Sequence, residues 1–439
     1  MISQKHKELA QRMMEFALEN GCSDARISIY SGDNSSFEYR DTQLDKLQQS
    51  VENSMEIELF TQNRYATYST NRIEEKELKK FILNGIETTR YLAEDTHRQL
   101  PNPQRYYKGN GESLNTCDPT YDSISADKKI GLAKNAVNEV YGSDSRITSI
   151  TAGFSSGKSG SYMISSNGFE GASESTYYSL SASTSLKDTG DARPSSYWYD
   201  TALFWDKLEK ENIGKKALER TIRKLGQSPI ESGIYPMLVD NLQIGRLLSP
   251  IISALYGNSL QQKNSFLLDK IGEKIVSDRF TLIDDPHIPN AIGARWFDGE
   301  GVATEKRTVI EKGILKTYYI DTYIASKMDL APTIQGPSIL TCAPGSHDFN
   351  QLKSTVNKGI WITGFNGGNS NSTTGDFSFG VEGFLIENGK ETSPINEMNI
   401  TGNLLELWKN IIEVGNDPKE NSSWRIPSIL FDKVTFSGK

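Results

Sequence analysis

The apolar pattern of this chain predicts an α+β protein: two helix–antiparallel-strands–helix units, then a mainly β C-terminal domain, either a sandwich or a partly closed barrel. Three observations lead to that reading. Apolar residues recur at helical spacing in stretches that end near Gly21, Gly142 and Gly226, glycine being the usual residue just past a helix. Between those stretches, apolar and polar residues alternate with the period of a half-buried strand. Beyond Gly233, short apolar runs are separated by Gly-containing turns, the mark of a sandwich or barrel.

The first helix places Leu9, Met13, Phe16 and Ala17 on one face. A strand follows with Ala25, Ile27 and Ile29 facing one way, and another opposes Met55, Ile57 and Leu59 to Glu56 and Glu58. Asn71 with Glu74 suggests a weak capping box for a helix carrying Leu78, Phe81, Ile82 and Ile86. Residues 1–93 thus make one α/β unit. Residues 94–122, polar and holding Pro101, Pro103, Gly109, Gly111 and Pro119, read as a linker. The pattern recurs over residues 123–226: a helix with Ile130, Ala133, Val137 and Val140, strands from Arg146 to about Leu186, and a helix with Ala217, Leu218, Ile222 and Leu225. The two units are a repeat of pattern without residue identity.

The third region, 233–439, opens with a strongly apolar helix at 242–257. Ile244, Leu247, Leu248, Ile251, Ile252 and Leu255 share one face, and Pro250 predicts a kink. Two strands, 306–310 and 313–320, are expected to be joined by a Glu311-Lys312 turn. Asn388-Gly389 is the strongest hairpin signal in the chain.

Bulk properties narrow the function. The 439 residues are 36% hydrophobic and 24% charged, an ordinary globular composition. A net charge of -8 argues against a nucleic-acid or anionic-membrane partner bound through a basic patch. Cys22, Cys117 and Cys342 are odd in number and far apart, which disfavours a disulfide framework. With no apolar signal core and no stretch of ~18 apolar residues, a cytoplasmic location is expected.

Chemistry-bearing motifs are sparse. His6, His97, His287 and His347 are never spaced to share one helical turn, as zinc sites on helices require. Asp284-Asp285-Pro286-His287 is the best acid/base cluster, but adjacent strand residues point to opposite faces. Cys342 lacks a cysteine-protease context. Gly153-Phe154-Ser155-Ser156-Gly157-Lys158-Ser159 falls short of phosphate-loop spacing and is expected to turn between two strands. The most distinctive polar stretch runs from Thr363 through Gly367, Gly368, Thr374, Gly375, Asp376 and Phe377 to Gly380. Its glycines would let a backbone approach a peptide closely, although tight turns in a β domain explain them as well.

Several segments, in order, resemble the TldD/PmbA family of metallopeptidases, once called modulators of DNA gyrase. They are Asn264-Ser265-Phe266-Leu267-Leu268-Asp269, Phe297-Asp298-Gly299-Glu300-Gly301-Val302, Thr374-Gly375-Asp376-Phe377-Ser378, Gly383-Phe384-Leu385-Ile386-Glu387-Asn388-Gly389 and Val414-Gly415-Asn416-Asp417. The resemblance implies that catalytic members carry a His-Glu-x-x-x-His zinc motif on the helix at 242–257, with a metal-binding cysteine near the C-terminus. Here the first His position falls on Ser249, the Glu on Pro250 and the second His on Ala254, and residues 417–427 hold no cysteine. None of these can serve as the family's ligand or general base.

That pattern resembles the PmbA/TldE branch, which implies a subunit without catalytic residues or metal of its own. Its expected partner is a TldD-like homologue carrying the zinc, in a heterodimer that processes peptides and unfolded chains. For the chain alone a homodimer is one option, and its oligomeric state in isolation stays open. Residues 367, 368 and 374–377 are the candidate peptide groove. Two alternatives stay open: a peptide-binding or regulatory, gyrase-modulator-like protein with no protease partner, and an independent hydrolase using Asp284, Asp285 and His287.

Overall fold

A computed structural model describes all residues, 1–439. The first unit runs α1 (Gln4–Glu19), β1 (Asp24–Arg40), β2 (Gln43–Thr61), β3 (Arg64–Thr70) and α2 (Glu75–Thr89). The second repeats that order: α3 (Ala126–Asn138), β4 (Ile147–Ser165), β5 (Glu170–Leu186), β6 (Ser195–Ala202) and α4 (Ile213–Ile222). The repeat of pattern is therefore a repeat of structure. The two sets of strands form one sheet, ordered β3-β2-β1-β4-β5-β6, so a pseudo-two-fold axis lies between β1 and β4.

β1 and β4 are long because each spans two cores. On β1, Ile27, Ile29 and Phe37 lie on the same face by the two-residue period, and β1 pairs with β4 from Arg26↔Ser165 to Arg40↔Thr151 without a bulge. α1 and α2 cover Ile27, Ile29, Met55, Ile57 and Leu59, and this core is completed by Tyr162 and Ile164 from β4. α3 and α4 cover Phe154, Tyr178 and Leu180, and here Phe37 from β1 fills the gap. Each unit lends residues to the other's core.

Several local expectations change. α2 is not capped by Asn71. β3 continues to Thr70, whose hydroxyl accepts from the Arg72 N–H, and the helix begins only at Glu75, with Glu74 as its N-cap. Glu75 and Glu77 in the first turn oppose the exposed amide dipoles instead. The stretch from Gly153 to Ser159 is the middle of β4, not a turn: a Cβ at Gly157 would meet Tyr177 and Asn34 of the flanking strands at 2.4 and 2.6 Å, so the glycine makes room within the sheet. Alternation also left β3 and β6 unrecognised.

Residues 94–122 connect the units but do not hang free. Tyr107 N–H donates to Gly301 O, Ala303 N–H to Arg105 O, and the Trp296 indole N–H to Glu112 O. Tyr107 stacks on Trp296, with ring centroids 5.6 Å apart. Asp118, buried, accepts from the N–H groups of Thr120 and Trp205 and the hydroxyls of Thr120 and Tyr178. The segment is a strap tying sheet to C-terminal domain.

That domain contains β7 (Gly233–Val239), α5 (Ile244–Ala254), α6 (Gly257–Gln261), β8 (Leu282–Asp284), β9 (Arg307–Glu311), β10 (Ile314–Leu315), α7 (Thr322–Met328), β11 (Leu340–Cys342), α8 (Phe349–Thr355), β12 (Lys358–Ser370), β13 (Asp376–Glu387), β14 (Lys390–Asn403), α9 (Leu404–Lys409), β15 (Ile411–Val414), β16 (Trp424–Arg425) and β17 (Ile429–Ser437). β14-β13-β12-β7-β17 is closed into a barrel by pairing of β14 with β17, Asn399↔Ser437 to Thr401↔Thr435. The barrel is mixed, since β12 runs parallel to β7. β10-β9-β8-β11-β16 form a smaller sheet beside it.

The Asn388-Gly389 hairpin holds, both residues having the positive φ that a primed turn demands (50° and 74°). The other turn shifts by one residue to Lys312-Gly313 (φ 44° and 81°), because a Cβ at Gly313 would strike Val276 O at 2.4 Å. β10 stops at Leu315, short of the expected 320.

Phe37→Ala should lower stability by about 3–5 kcal/mol, as expected for truncating a buried aromatic. Because Phe37 comes from the first unit and fills the second unit's core, both units should melt earlier in one shared transition, followed by denaturant titration with tryptophan fluorescence and far-ultraviolet circular dichroism.

Candidate functional site

α5 is where the resemblance places the family's motif, and its position is set by burial. Ile244, Leu247, Leu248, Ile251, Ile252 and Leu255 are all at most 2% exposed and share one core with barrel residues Met237, Val239, Ile360, Ile362 and Phe379. The helix runs through Pro250 without interruption. Its start is fixed by Asp240, the residue after β7. The Asp240 carboxylate accepts from the Leu242 and Gln243 N–H groups, and its carbonyl accepts from those of Gln243 and Ile244. Burial pushes the Asp240 carboxyl up to about 6, although Arg220 and these hydrogen bonds pull the other way. An Asp just before an apolar helical run was a readable start signal that the motif analysis passed over.

The opposite face carries Arg246, Ser249 and Ser253, all exposed, with Pro250 half-buried between them. Ala254 is buried. Arg246 does what no sequence motif announced: its guanidinium donates to Gly368 O at 3.0 Å and lies 4.8 Å from the Phe379 ring centroid. It pins the β12–β13 hairpin over the outer face of α5.

The hairpin bulges where it meets Arg246, the β12–β13 register shifting between Phe365 and Gly368. Gly367 and Gly368 have φ of 105° and 88°, and a Cβ at Gly368 would lie 2.1 Å from Ser378 O, so glycine is required there. Thr374, Gly375 and Asp376 close the hairpin tip on themselves. The Thr374 hydroxyl donates to Asp376 at 2.7 Å, and the Asn403 amide donates to Asp376 and to Thr374 O, both at 2.9 Å. These bonds hold the Asp376 carboxyl below its usual range. Phe377 is in the core. Of the six groove residues expected from sequence, Gly367 and Gly368 thus lie beside α5, three form the loop tip, and Phe377 can offer only its backbone.

Between α4, β6 and the barrel, next to the start of α5, lies a cleft of about 490 Å³, lined by Gln243, Arg220, Lys224, Thr363, Phe365 and Glu382 among others. Residues 417–427 flank the helix from the other side: Asn241 donates to Asp417 O at 2.6 Å, and Trp424 faces Gly245.

The remaining candidates separate. Asp284, buried, accepts from the Ser338 and Ile339 N–H groups, and burial raises its carboxyl. Asp285 pairs with Lys306 at 2.8 Å. His287 is hydrogen-bonded to the Thr304 hydroxyl, and burial lowers its proton affinity. No side chain of the three bonds another, although the Asp285 carboxylate accepts from the His287 backbone N–H at 3.4 Å. The other histidines are equally local: His6 completes the capping box of α1 with Ser3, His97 meets Ser326, and His347 meets Glu413 at 2.6 Å. Burial pushes the Cys342 thiol up to about 12, too high for a thiolate nucleophile. No three His, Cys, Asp or Glu side chains converge in a way that could hold a metal ion. No helix is long and apolar enough to cross a membrane.

Helix-strands-helix repeats are strapped to a closed barrel that carries a buried helix. Residues 119–225 match the profile of the PmbA/TldA metallopeptidase central domain and residues 232–438 that of its C-terminal domain. A structure from Bacteroides thetaiotaomicron, solved as a candidate modulator of DNA gyrase, is 53% identical, with a TM-score of 0.98 and 100% of both chains covered. The metalloprotease PmbA of Escherichia coli O157:H7 is 27% identical over 440 residues, 99% of this chain and 97% of that one. TldE from Thermococcus kodakarensis shares the fold, with a TM-score of 0.86 at 20% identity over 98% of this chain and 100% of that one. The chain belongs to the PmbA/TldD family. A metal is implied by the family's description, but Ser249, Pro250 and Ala254 present no imidazole, carboxylate or thiolate to hold one.

The charge on Asp240 opposes folding once it ionises. A raised folded value means that the native state keeps its proton to higher pH than the unfolded chain does. As pH rises from 4 to 7, the stability of Asp240→Asn relative to wild type should therefore grow by up to about 3 kcal/mol. Parallel denaturant titrations at the two pH values measure this directly, and equal offsets at both would refute it.

Proposed function

We propose that the chain is a PmbA/TldE-like, metal-free subunit of a TldD/TldE-type zinc metallopeptidase complex, acting in the cytoplasm on peptides and unfolded chains. The observation that carries this reading is the chemistry of three positions on α5. The positions the family's motif would occupy hold a hydroxyl, a proline ring and a buried methyl group. None can bind zinc, and none can take a proton from a water, so hydrolysis requires the partner's residues. The role left to this chain is to hold substrate. The bulged hairpin at Gly367–Gly368, fixed on α5 by Arg246, offers close backbone approach beside the cleft, as main-chain recognition of an extended peptide needs.

The purified chain should contain less than about a tenth of an equivalent of zinc by elemental analysis and leave an unfolded casein substrate intact. Adding a TldD-like homologue bearing His-Glu-x-x-x-His should form a complex and produce cleavage. A tightly held zinc with cleavage by the isolated chain would refute the proposal. Failure to bind any such homologue would favour the regulatory, partner-free alternative.

Arg246→Ala in that complex should raise KM for peptide several-fold with little change in kcat, since it loosens substrate binding and leaves the metal untouched. An unchanged KM would remove the hairpin from the groove.

A further inference from the structure

The pseudo-two-fold sheet has two equivalent ends, and they are treated differently. β3 covers β2 only from Met55 to Thr61, and β6 covers β5 only from Tyr178 to Ser185. Each penultimate strand therefore has a half with no outer neighbour. On β5 the strap fills that place: the Thr116 hydroxyl donates to Glu174 O at 2.6 Å, and the Thr176 N–H donates to Thr116 O at 3.0 Å. On β2 the matching half, from Gln43 to Ser54, pairs with β1 on one side and has no strand on the other. It also carries Leu44, Leu47 and Val51, which are 40%, 55% and 73% exposed. A row of free backbone groups flanked by exposed apolar side chains is a template for another strand.

We propose that this half-strand docks a second copy of the same chain, as an antiparallel two-fold pair centred on Gln49 that joins two six-stranded sheets edge to edge. The register follows from the sequence and the ladder. Directly opposed residues in an antiparallel pair both point their backbone groups inward or both outward. Two identical strands must therefore cross on a residue, not between two. The strand is regular beyond Asp45, the extra residue of a bulge opposite Glu38 and Tyr39.

Within that stretch the centres differ sharply. Crossing on Leu47 sets Lys46 against Gln48 and Leu44 against Ser50. Crossing on Gln48 sets Leu47 against Gln49 and Lys46 against Ser50, while Ser50 as centre sets Leu47 against Asn53 and Gln48 against Glu52. Crossing on Gln49 alone sets Lys46 against Glu52 and Leu47 against Val51, each twice by symmetry. Opposite charges and apolar pairs facing each other are what stabilise a sheet. Lys46 and Glu52, which on an isolated edge would repel strands, attract an inverted copy of the same edge.

Sedimentation equilibrium of the full chain should show a concentration-dependent dimer. Lys46→Glu and Glu52→Lys should each raise the dimer Kd roughly tenfold or more, since each puts two like-charge pairs at the interface. The double exchange, Lys46→Glu with Glu52→Lys, should restore it. Gln49→Cys should cross-link to itself under mild oxidation, whereas Glu52→Cys, opposite Lys46, should not; wild type reports any background from the native cysteines. Circular dichroism confirms that the variants fold. The proposal is overturned by a monomer at all concentrations, by a dimer indifferent to the charge changes, or by failure of the double exchange to rescue. It is equally overturned if Lys46→Glu blocks only a complex with a TldD-like chain.

Discussion

Pairing of β1 with β4 is the constraint on which the rest of the structure depends. It turns two α-β-β-β-α units into one sheet and fixes their relative position to within a residue. Because β4 supplies Tyr162 and Ile164 to the first core and β1 supplies Phe37 to the second, neither unit can complete its interior alone. The strap then uses that rigid sheet as an anchor, through Asp118 on one side and the Tyr107–Trp296 stack on the other. In this way α5 and its surroundings are held against a large fixed body.

On α5 the two faces obey different rules. Six apolar positions are bound by close packing, where a change of even one methylene is felt. Ser249 and Ser253 on the outer face are exposed, so small polar residues can stand there without disturbing the fold. A helix of this kind can exchange its chemistry while keeping its place. What stays constant is the platform, and Arg246 turns that platform into a support for the hairpin above it.

Periodicity made the fold class, the repeat, the apolar face of α5 and the Asn388-Gly389 hairpin readable, since each is a local rule repeated along the chain. It failed where tertiary packing decides. Gly157 looks like a turn residue until Tyr177 and Asn34 are placed beside it, and residues 94–122 look like a linker because their partners, Gly301 and Trp296, lie far along the chain. The place of the candidate site on α5 was legible as an expectation from the resemblance. Its geometry was not, because the Arg246–Gly368 contact joins residues more than a hundred positions apart and no spacing rule reaches that far.

The order in which the barrel closes bears on biosynthesis. β7, at Gly233–Val239, has β12 and β17 as its neighbours, and β17 supplies the final seam against β14. On the ribosome, the N-terminal sheet has all its strands once β6 has emerged, whereas β7 must wait for nearly two hundred further residues. Until β12 and then β17 follow, its apolar residues Met237, Leu238 and Val239 have no strand beside them. The nascent C-terminal half is therefore the part of this molecule with most need of a chaperone's shelter.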